Sequence, residues 1–209
     1  RSLIVVGGPL VDNLVHDLNE ADLKVALQEM GADIFVCESQ GELTLYQILQ
    51  ALYLSKDITS IDNLIVKDGE QFLSTHKCKE NNALDECAIN WDNFNDEVLG
   101  STVQTRTARS CAYACAFCDY PIRAGKLTLA SVDTLENELK KLHRRGVKNV
   151  VFIDDTFNVP HERFRELCKM MIRNRFEFRW FSYFRCSSVK DNDIFKLMKD
   201  SGCCAVFLG

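Results

Sequence analysis

The sequence has little of several features that define special classes of protein. Its 209 residues include only 3 Pro and 10 Gly, which excludes collagen-like and low-complexity chains. The net charge of -5 provides no basic field, and this argues against nucleic acid as a partner. No apolar run reaches the roughly 18 to 20 residues that a membrane-spanning helix needs. With 46% hydrophobic and 26% charged residues, the composition is that of a globular protein.

The chain also lacks an initiator methionine. It opens at Arg1, a predicted strand begins at once, and it stops at Gly209 at the end of another predicted strand. We therefore expect both ends to lie inside a longer protein. The absence of a signal peptide then says nothing about targeting.

Cysteine is the residue type that is abundant. The ten cysteines are Cys37, Cys78, Cys87, Cys111, Cys115, Cys118, Cys168, Cys186, Cys203 and Cys204. A disulfide framework is typical of smaller secreted chains with poor cores, whereas this chain has ordinary helix and strand patterns. The composition therefore favours a reducing cytoplasm with free and metal-bound thiols. Cys203 and Cys204 lie in an apolar run and are predicted to be buried in a strand.

The first part of the chain alternates strands with helices. Strands are predicted at 3–6 and 33–37, the first of them fully buried, and helices at 20–30 and 42–54. This order is typical of a doubly wound parallel sheet, and a hairpin follows at 63–76. We assign residues 1–76 to the end of one α/β domain and the polar, irregular residues 77–100 to a linker.

The second part, residues 101–209, repeats a strand–helix unit. Strands are predicted at 102–109, 149–153, 178–184 and 204–208, with helices at 131–145, 160–174 and 191–201 between them. This pattern is typical of parallel strands joined by helices. Four such strands are about half of a closed eight-stranded βα barrel. The fold class is therefore α/β: a partial doubly wound domain followed by the first half of a barrel.

Three cysteines carry the chemistry. Cys111, Cys115 and Cys118 have the spacing C-x3-C-x2-C on a predicted loop, so three thiolates can face one soft metal centre. A structural zinc needs four ligands, and Cys87, His76 or Cys78 could supply the fourth. A [4Fe-4S] cluster on three cysteines instead leaves one iron open for a substrate or cofactor.

This motif resembles the signature of the radical S-adenosylmethionine (SAM) enzymes. In that family the C-x3-C-x-aromatic-C loop follows the first strand of a βα barrel, and here Phe117 fills the aromatic position. The resemblance implies a [4Fe-4S] cluster on the three cysteines, with the open iron bound by the amino and carboxylate groups of SAM. The cluster would then donate an electron that cleaves SAM to a 5'-deoxyadenosyl radical. The backbone around Phe117 would hold the adenine.

Two later strand ends extend the resemblance. Asp154 and Asp155 follow the second barrel strand, where the family places polar groups that meet the SAM ammonium. Turn formation and helix capping are the alternative roles for this acidic pair. Arg185 ends the third strand and matches a basic position near the SAM carboxylate, with a surface ion pair as its alternative.

The first part of the chain resembles the back half of a cobalamin-binding domain. Gly7, Gly8 and Pro9 follow a buried strand, as does the turn that approaches the cobalamin nucleotide tail in that family. Residues 31–42 resemble its next strand and turn, although Glu38-Ser39-Gln40 departs from the glycine pattern. The segment whose histidine can ligate cobalt would lie upstream of Arg1.

The resemblance implies a cobalamin-dependent radical SAM enzyme, most simply a methyltransferase acting on an unactivated centre. Its partners would be a small-molecule or peptide substrate and an electron donor such as flavodoxin or ferredoxin. A cyclase or rearrangement enzyme and a methylthiotransferase are alternatives; the latter would use Cys37, Cys78 and Cys87 for a second cluster. A non-catalytic zinc- or cluster-binding module is the alternative of another class.

Overall fold

The computed structural model describes residues 2–189 and 191–209. The chain forms two compact units, the first ending at Asn82 and the second beginning at Ala83. In the described residues, no helix combines the length and the apolar character needed to cross a bilayer.

The first unit is a four-stranded sheet with three helices. The elements in chain order are β1 Val5–Val6, α1 Pro9–Asp17, α2 Glu20–Met30, β2 Ile34–Val36, α3 Glu42–Tyr53, β3 Leu64–Asp68 and β4 Gln71–Ser74. The strands lie in the order β1-β2-β3-β4; β1 and β2 are parallel and the other pairs are antiparallel. The strand–helix alternation and the hairpin that the sequence predicts are both present.

Capping explains where two of these helices begin and end. The side chain of Asn19 accepts a hydrogen bond from the Asp22 N–H at 3.0 Å and starts α2, which ends at Gly31 in the left-handed region. Glu80, far along the chain, caps α3 by accepting from the N–H groups of Leu43 at 3.0 Å and Thr44 at 2.9 Å. Because Glu80 is buried, this cap also fixes residues just after the hairpin to the first unit.

The predicted burial of the first strand is wrong. Leu3 and Ile4 are 49% and 46% exposed, and the strand is reduced to Val5–Val6. The reason is that β1 lies at an edge of the sheet, with β2 as its neighbour in the unit. An apolar run cannot by itself distinguish a central strand from an edge strand.

The second unit is built on a sheet of four parallel strands. Its elements in chain order are α4 Asp96–Leu99, β5 Thr102–Thr105, β6 Ala108–Arg109, α5 Tyr120–Ala124, β7 Thr128–Leu129, α6 Val132–Arg144, β8 Asn149–Phe152, α7 His161–Arg173, β9 Arg179–Phe184, α8 Asp193–Asp200 and β10 Cys203–Leu208. The parallel strands lie in the order β5-β8-β9-β10. The sheet is open, with β5 and β10 at its edges, and it matches the predicted half-barrel. A two-stranded antiparallel ribbon pairs β6 with β7.

One face of this sheet is buried against the helices. Along β9, Trp180, Ser182 and Phe184 alternate with more exposed residues, as expected for a strand with one covered face. Trp180 is fully buried, and its indole N–H donates to the Ser201 carbonyl at 3.1 Å. The rings of Phe152 and Phe157 stack beside it at 4.4 Å between centroids. This packing fixes the positions of the carboxyl ends of β8 and β9.

The segment that the sequence assigns to a linker, residues 77–100, is divided between the two units. Its later part belongs to the second unit, where Trp91 and Leu99 are buried in the core. Glu138 on α6 accepts hydrogen bonds there from the Ile89 N–H at 2.9 Å and the Trp91 indole at 3.4 Å. The later part of this segment is therefore well packed despite its polar composition, because its polar groups form hydrogen bonds with buried partners.

Two further expectations about strands need correction. The predicted strand at 102–109 is broken, because Arg106 and Thr107 separate β5 from β6. Cys203 is half-buried and Cys204 is exposed, although both were expected to be buried in β10. The strand β10 is an edge of the sheet, so its apolar run is left partly uncovered.

A glycine substitution tests the close approach of the turn between α8 and β10 to the residue before β9. At Gly202, φ is +96°, and a Cβ atom would lie 2.6 Å from the Phe178 carbonyl oxygen. At Gly146, φ is +73° and a Cβ atom would meet nothing within 4 Å. We expect Gly202→Ala to lower the free energy of unfolding by about 3 kcal/mol or more, and Gly146→Ala by about 1 kcal/mol.

Tryptophan fluorescence during denaturant unfolding measures this difference. Both tryptophans, Trp91 and Trp180, lie in the second unit, so the signal reports its unfolding. Equal losses in the two variants would show that the contact with the Phe178 carbonyl contributes nothing.

Candidate cofactor site

The three motif cysteines lie together on the loop that connects β6 to β7. The base of this loop is closed by the β6–β7 ribbon and by the Ser110 hydroxyl, which donates to the Gly125 carbonyl at 2.6 Å. Ser110 has φ +71°, a left-handed conformation that turns the chain into the loop directly before Cys111. A hydrogen bond from the Cys118 N–H to the Cys115 carbonyl at 3.0 Å forms a turn within it.

All three motif thiols are free and partly exposed. Phe117, between the second and third cysteines, is 93% exposed. No group of three His, Cys, Asp or Glu side chains in the described parts of the chain is arranged to hold a single metal ion. The donor set itself, three thiols within eight residues, suits soft iron or zinc centres.

The loop lies at the carboxyl ends of the parallel strands. Thr156 follows β8, and its hydroxyl is 3.7 Å from Cys111 Sγ. Arg185 follows β9 and donates from a terminal guanidinium nitrogen to Cys115 Sγ at 3.7 Å. Ligand sites of open α/β sheets and of βα barrels form at this edge. The sequence-predicted cysteines and Arg185 are thus brought together.

The acidic pair is divided between two environments. Asp154 is only 5% exposed, and its carboxylate accepts hydrogen bonds from the Thr107 N–H at 2.7 Å, the Ala108 N–H at 3.0 Å and the Thr107 hydroxyl. Burial raises the pKa of Asp154, and these hydrogen bonds oppose that shift. Asp155 is exposed, although partial desolvation also raises its pKa. Of the two carboxylates, that of Asp155 is the one accessible to a ligand.

Arg163 completes the buried network around Asp154. From α7 its guanidinium donates to the Thr107 hydroxyl at 3.1 Å, the Thr107 carbonyl at 3.0 Å and the Ala130 carbonyl at 2.8 Å. Burial lowers the pKa of Arg163, and the nearby Asp154 carboxylate acts in the opposite direction. The network therefore joins the strand end before the cysteine loop to β8 and α7.

Sequence reasoning missed Thr107 and Arg163 as site residues. One signal for Thr107 was present in the sequence. Val103, Thr105 and Thr107 occupy alternate positions on the buried side of the chain, and a polar residue on that side needs a buried hydrogen-bond partner. Asn158, whose side-chain amide forms hydrogen bonds with the backbone N–H and carbonyl of Arg185, was also missed, and its sequence context gives no comparable signal.

The predicted turn Gly7-Gly8-Pro9 lies in the first unit, where it ends β1 and begins α1. Gly8 is the residue before the helix, with φ +93°. A Cβ atom on Gly7 would lie 3.1 Å from Val36 Cβ, so the small residue has a packing reason within the unit. This turn and the segment after β2 both follow parallel strands, at the edge where such sheets bind ligands.

Comparison with known families identifies the class of protein. The model of the radical SAM superfamily matches residues 105–209, half of the chain, including the cysteine loop and the strands β8, β9 and β10 of the parallel sheet. The chain belongs to the radical SAM superfamily. Membership implies a [4Fe-4S] cluster and SAM as the cofactors of the enzyme. Among curated proteins, no sequence matches this chain significantly.

Solved structures share the fold of this chain. The radical SAM methyltransferase TsrM from Kitasatospora setae, with cobalamin and a [4Fe-4S] cluster bound, has a TM-score of 0.70 at 17% identity, covering 98% of this chain and 42% of its own. The cobalamin-dependent SAM radical enzyme OxsB, with aqua-cobalamin and SAM bound, has a TM-score of 0.65 at 16% identity, covering 100% of this chain and 31% of its own. At these identities the likeness establishes the fold. The chain spans less than half of either protein.

A pair of substitutions tests the buried network. Asp154→Ala leaves the N–H groups of Thr107 and Ala108 without their acceptor and removes the negative charge beside the Arg163 guanidinium, so we expect the second unit to lose about 3–5 kcal/mol of stability. Asp155→Asn, at the exposed neighbour, should change stability by about 0.5 kcal/mol or less. Denaturant unfolding followed by tryptophan fluorescence measures both. A loss below about 1 kcal/mol for Asp154→Ala would contradict a structural role for this carboxylate.

Proposed function

We propose that the chain is part of a cobalamin-dependent radical SAM enzyme that transfers a methyl group to an unactivated centre. The observation that carries the radical SAM part is the C-x3-C-x2-C loop held at the carboxyl edge of four parallel strands. Cys111, Cys115 and Cys118 would bind three irons of a [4Fe-4S] cluster. When bound, the cluster and SAM supply the electron and the reactive group that the chain itself lacks.

The other residues of the loop and the strand ends would hold SAM. Phe117 itself is almost fully exposed, so the chain around it is accessible to adenine. The exposed carboxylate of Asp155 would meet the SAM ammonium, since the carboxylate of Asp154 is already occupied by hydrogen bonds from Thr107 and Ala108. Arg185 lies at the same edge, and its guanidinium could reach a carboxylate by a small movement of the side chain.

Cobalamin is supported by the first unit and by the two structural neighbours. Gly7-Gly8-Pro9 and residues 37–41 follow the two parallel strands of that unit, which is the place expected for a ligand. The TsrM and OxsB structures both contain bound cobalamin, and the likeness to each covers nearly all of this chain. The methyltransferase assignment follows TsrM; a cyclase or rearrangement enzyme on the same scaffold is the alternative.

The methylthiotransferase alternative receives no support from Cys37. This thiol is 6% exposed in the core of the first unit and donates to the Phe35 carbonyl at 3.7 Å. Burial also raises the pKa of Cys37 to about 11, which disfavours the thiolate form that a cluster ligand must take.

Anaerobic reconstitution of the full-length protein tests the cluster. We expect about four irons per chain and cleavage of SAM under reducing conditions, both strongly reduced in Cys115→Ala. The matched control is Cys186→Ala, which removes an exposed thiol outside the loop and should retain the iron. One tightly bound zinc without SAM cleavage would instead favour the non-catalytic module.

Cobalamin binding is tested separately by absorption spectroscopy. The full-length protein should retain cobalamin after removal of the free cofactor, and Cys115→Ala should retain it equally, because the cobalamin residues belong to the first unit. A protein that binds the iron cluster and holds no cobalamin would overturn the cobalamin assignment and leave the radical SAM assignment intact.

A further inference from the structure

The backbone of Arg185 is fixed where β9 ends. Its N–H donates to Asn158 Oδ1 at 2.9 Å, and its carbonyl accepts from Asn158 Nδ2 at 2.9 Å. Asn158 is only 1% exposed, so its side-chain amide is shielded from water in both bonds. The Cα atom of Arg185 is therefore held in a defined place relative to the loop after β8.

The side chain of Arg185 reaches from this anchor to the cysteine loop. Its guanidinium carbon lies 3.8 Å from the centre of the Tyr113 ring, the geometry of a cation–π contact. A terminal nitrogen donates to Cys115 Sγ at 3.7 Å, and Nε donates to the Ser187 hydroxyl at 3.2 Å. The planar group thus contacts an aromatic face and a thiol of the same loop while a hydroxyl orients it.

We propose that Arg185 is a positioning residue that donates a hydrogen bond to the Cys115 thiolate when that thiolate ligates the cluster, and thereby raises the reduction potential of the cluster. This inference rests on the proposed function. Reduction adds negative charge to a cluster, and a cation that is hydrogen-bonded to a ligating sulfur stabilises the reduced state. The contact with Tyr113 holds the guanidinium in place.

The midpoint potential of the cluster in the full-length protein tests this role. EPR-monitored redox titration without SAM excludes any contribution from a contact between Arg185 and the SAM carboxylate. We expect Arg185→Met to shift the potential to more negative values. The matched control is Arg179→Met, which removes the same charge from an exposed side chain at the opposite end of β9 and should leave the potential unchanged.

Iron analysis accompanies each titration, and Arg185→Gln provides a second neutral variant if the methionine variant fails to assemble its cluster. A negative shift in either Arg185 variant with full iron content, beyond that of Arg179→Met, supports the role. A wild-type potential in a fully loaded Arg185 variant overturns it, as does loss of the cluster in both variants, which would indicate a role in assembly. Absence of a cluster from the wild-type protein would be a failure of the proposed function itself.

Discussion

The candidate site depends on the hydrogen bonds that the buried carboxylate of Asp154 accepts from the chain before the cysteine loop. This carboxylate accepts hydrogen bonds from two consecutive N–H groups, those of Thr107 and Ala108, at the start of the short strand β6 that leads into the cysteine loop. Arg163 supports the same turn from α7 by donating to the carbonyl and the hydroxyl of Thr107. Because an unpaired buried charge is costly, this arrangement is favourable only when the turn, the end of β8 and α7 are all in place. The network therefore makes the start of the loop dependent on the fold of the parallel sheet.

The adjacent residues Asp154 and Asp155 consequently have different roles. Asp154 is enclosed by its hydrogen-bond donors, whereas Asp155 is exposed at the strand end where a ligand can reach it. The charge of a carboxylate that holds the backbone is already compensated by these donors, so it offers little to a bound cation. A dipeptide of identical side chains thus supplies one structural and one accessible group, and the division is set by the alternation of side-chain direction at the end of a strand.

Features determined by nearby residues could be predicted from the sequence, and features determined by distant residues could not. The cysteine spacing, the helix patterns and the parallel strand–helix repeat are local, and the α/β fold class follows from them. The exposure of Leu3, Ile4 and Cys204 depends on which strands lie at the sheet edges, and no apolar run encodes that. The contact of Arg163 with Thr107 joins residues 56 positions apart. For the same reason, the polar segment that holds Trp91 could not be distinguished from a linker.

The loop is fixed at its base and accessible at its tip, and both properties follow from its place in the fold. The ribbon of β6 and β7 and the bond from Ser110 to Gly125 close its base, while Phe117 at its tip is almost fully exposed. Two strand ends then reach its thiols: Thr156 after β8 approaches Cys111, and Arg185 after β9 approaches Cys115. Because neighbouring parallel strands end at the same edge, residues distant in sequence converge on one loop without any long insertion. Thiols that are held by rigid elements but open to solvent can accept an incoming metal centre, whereas buried thiols such as Cys168, whose pKa is raised to about 12, cannot.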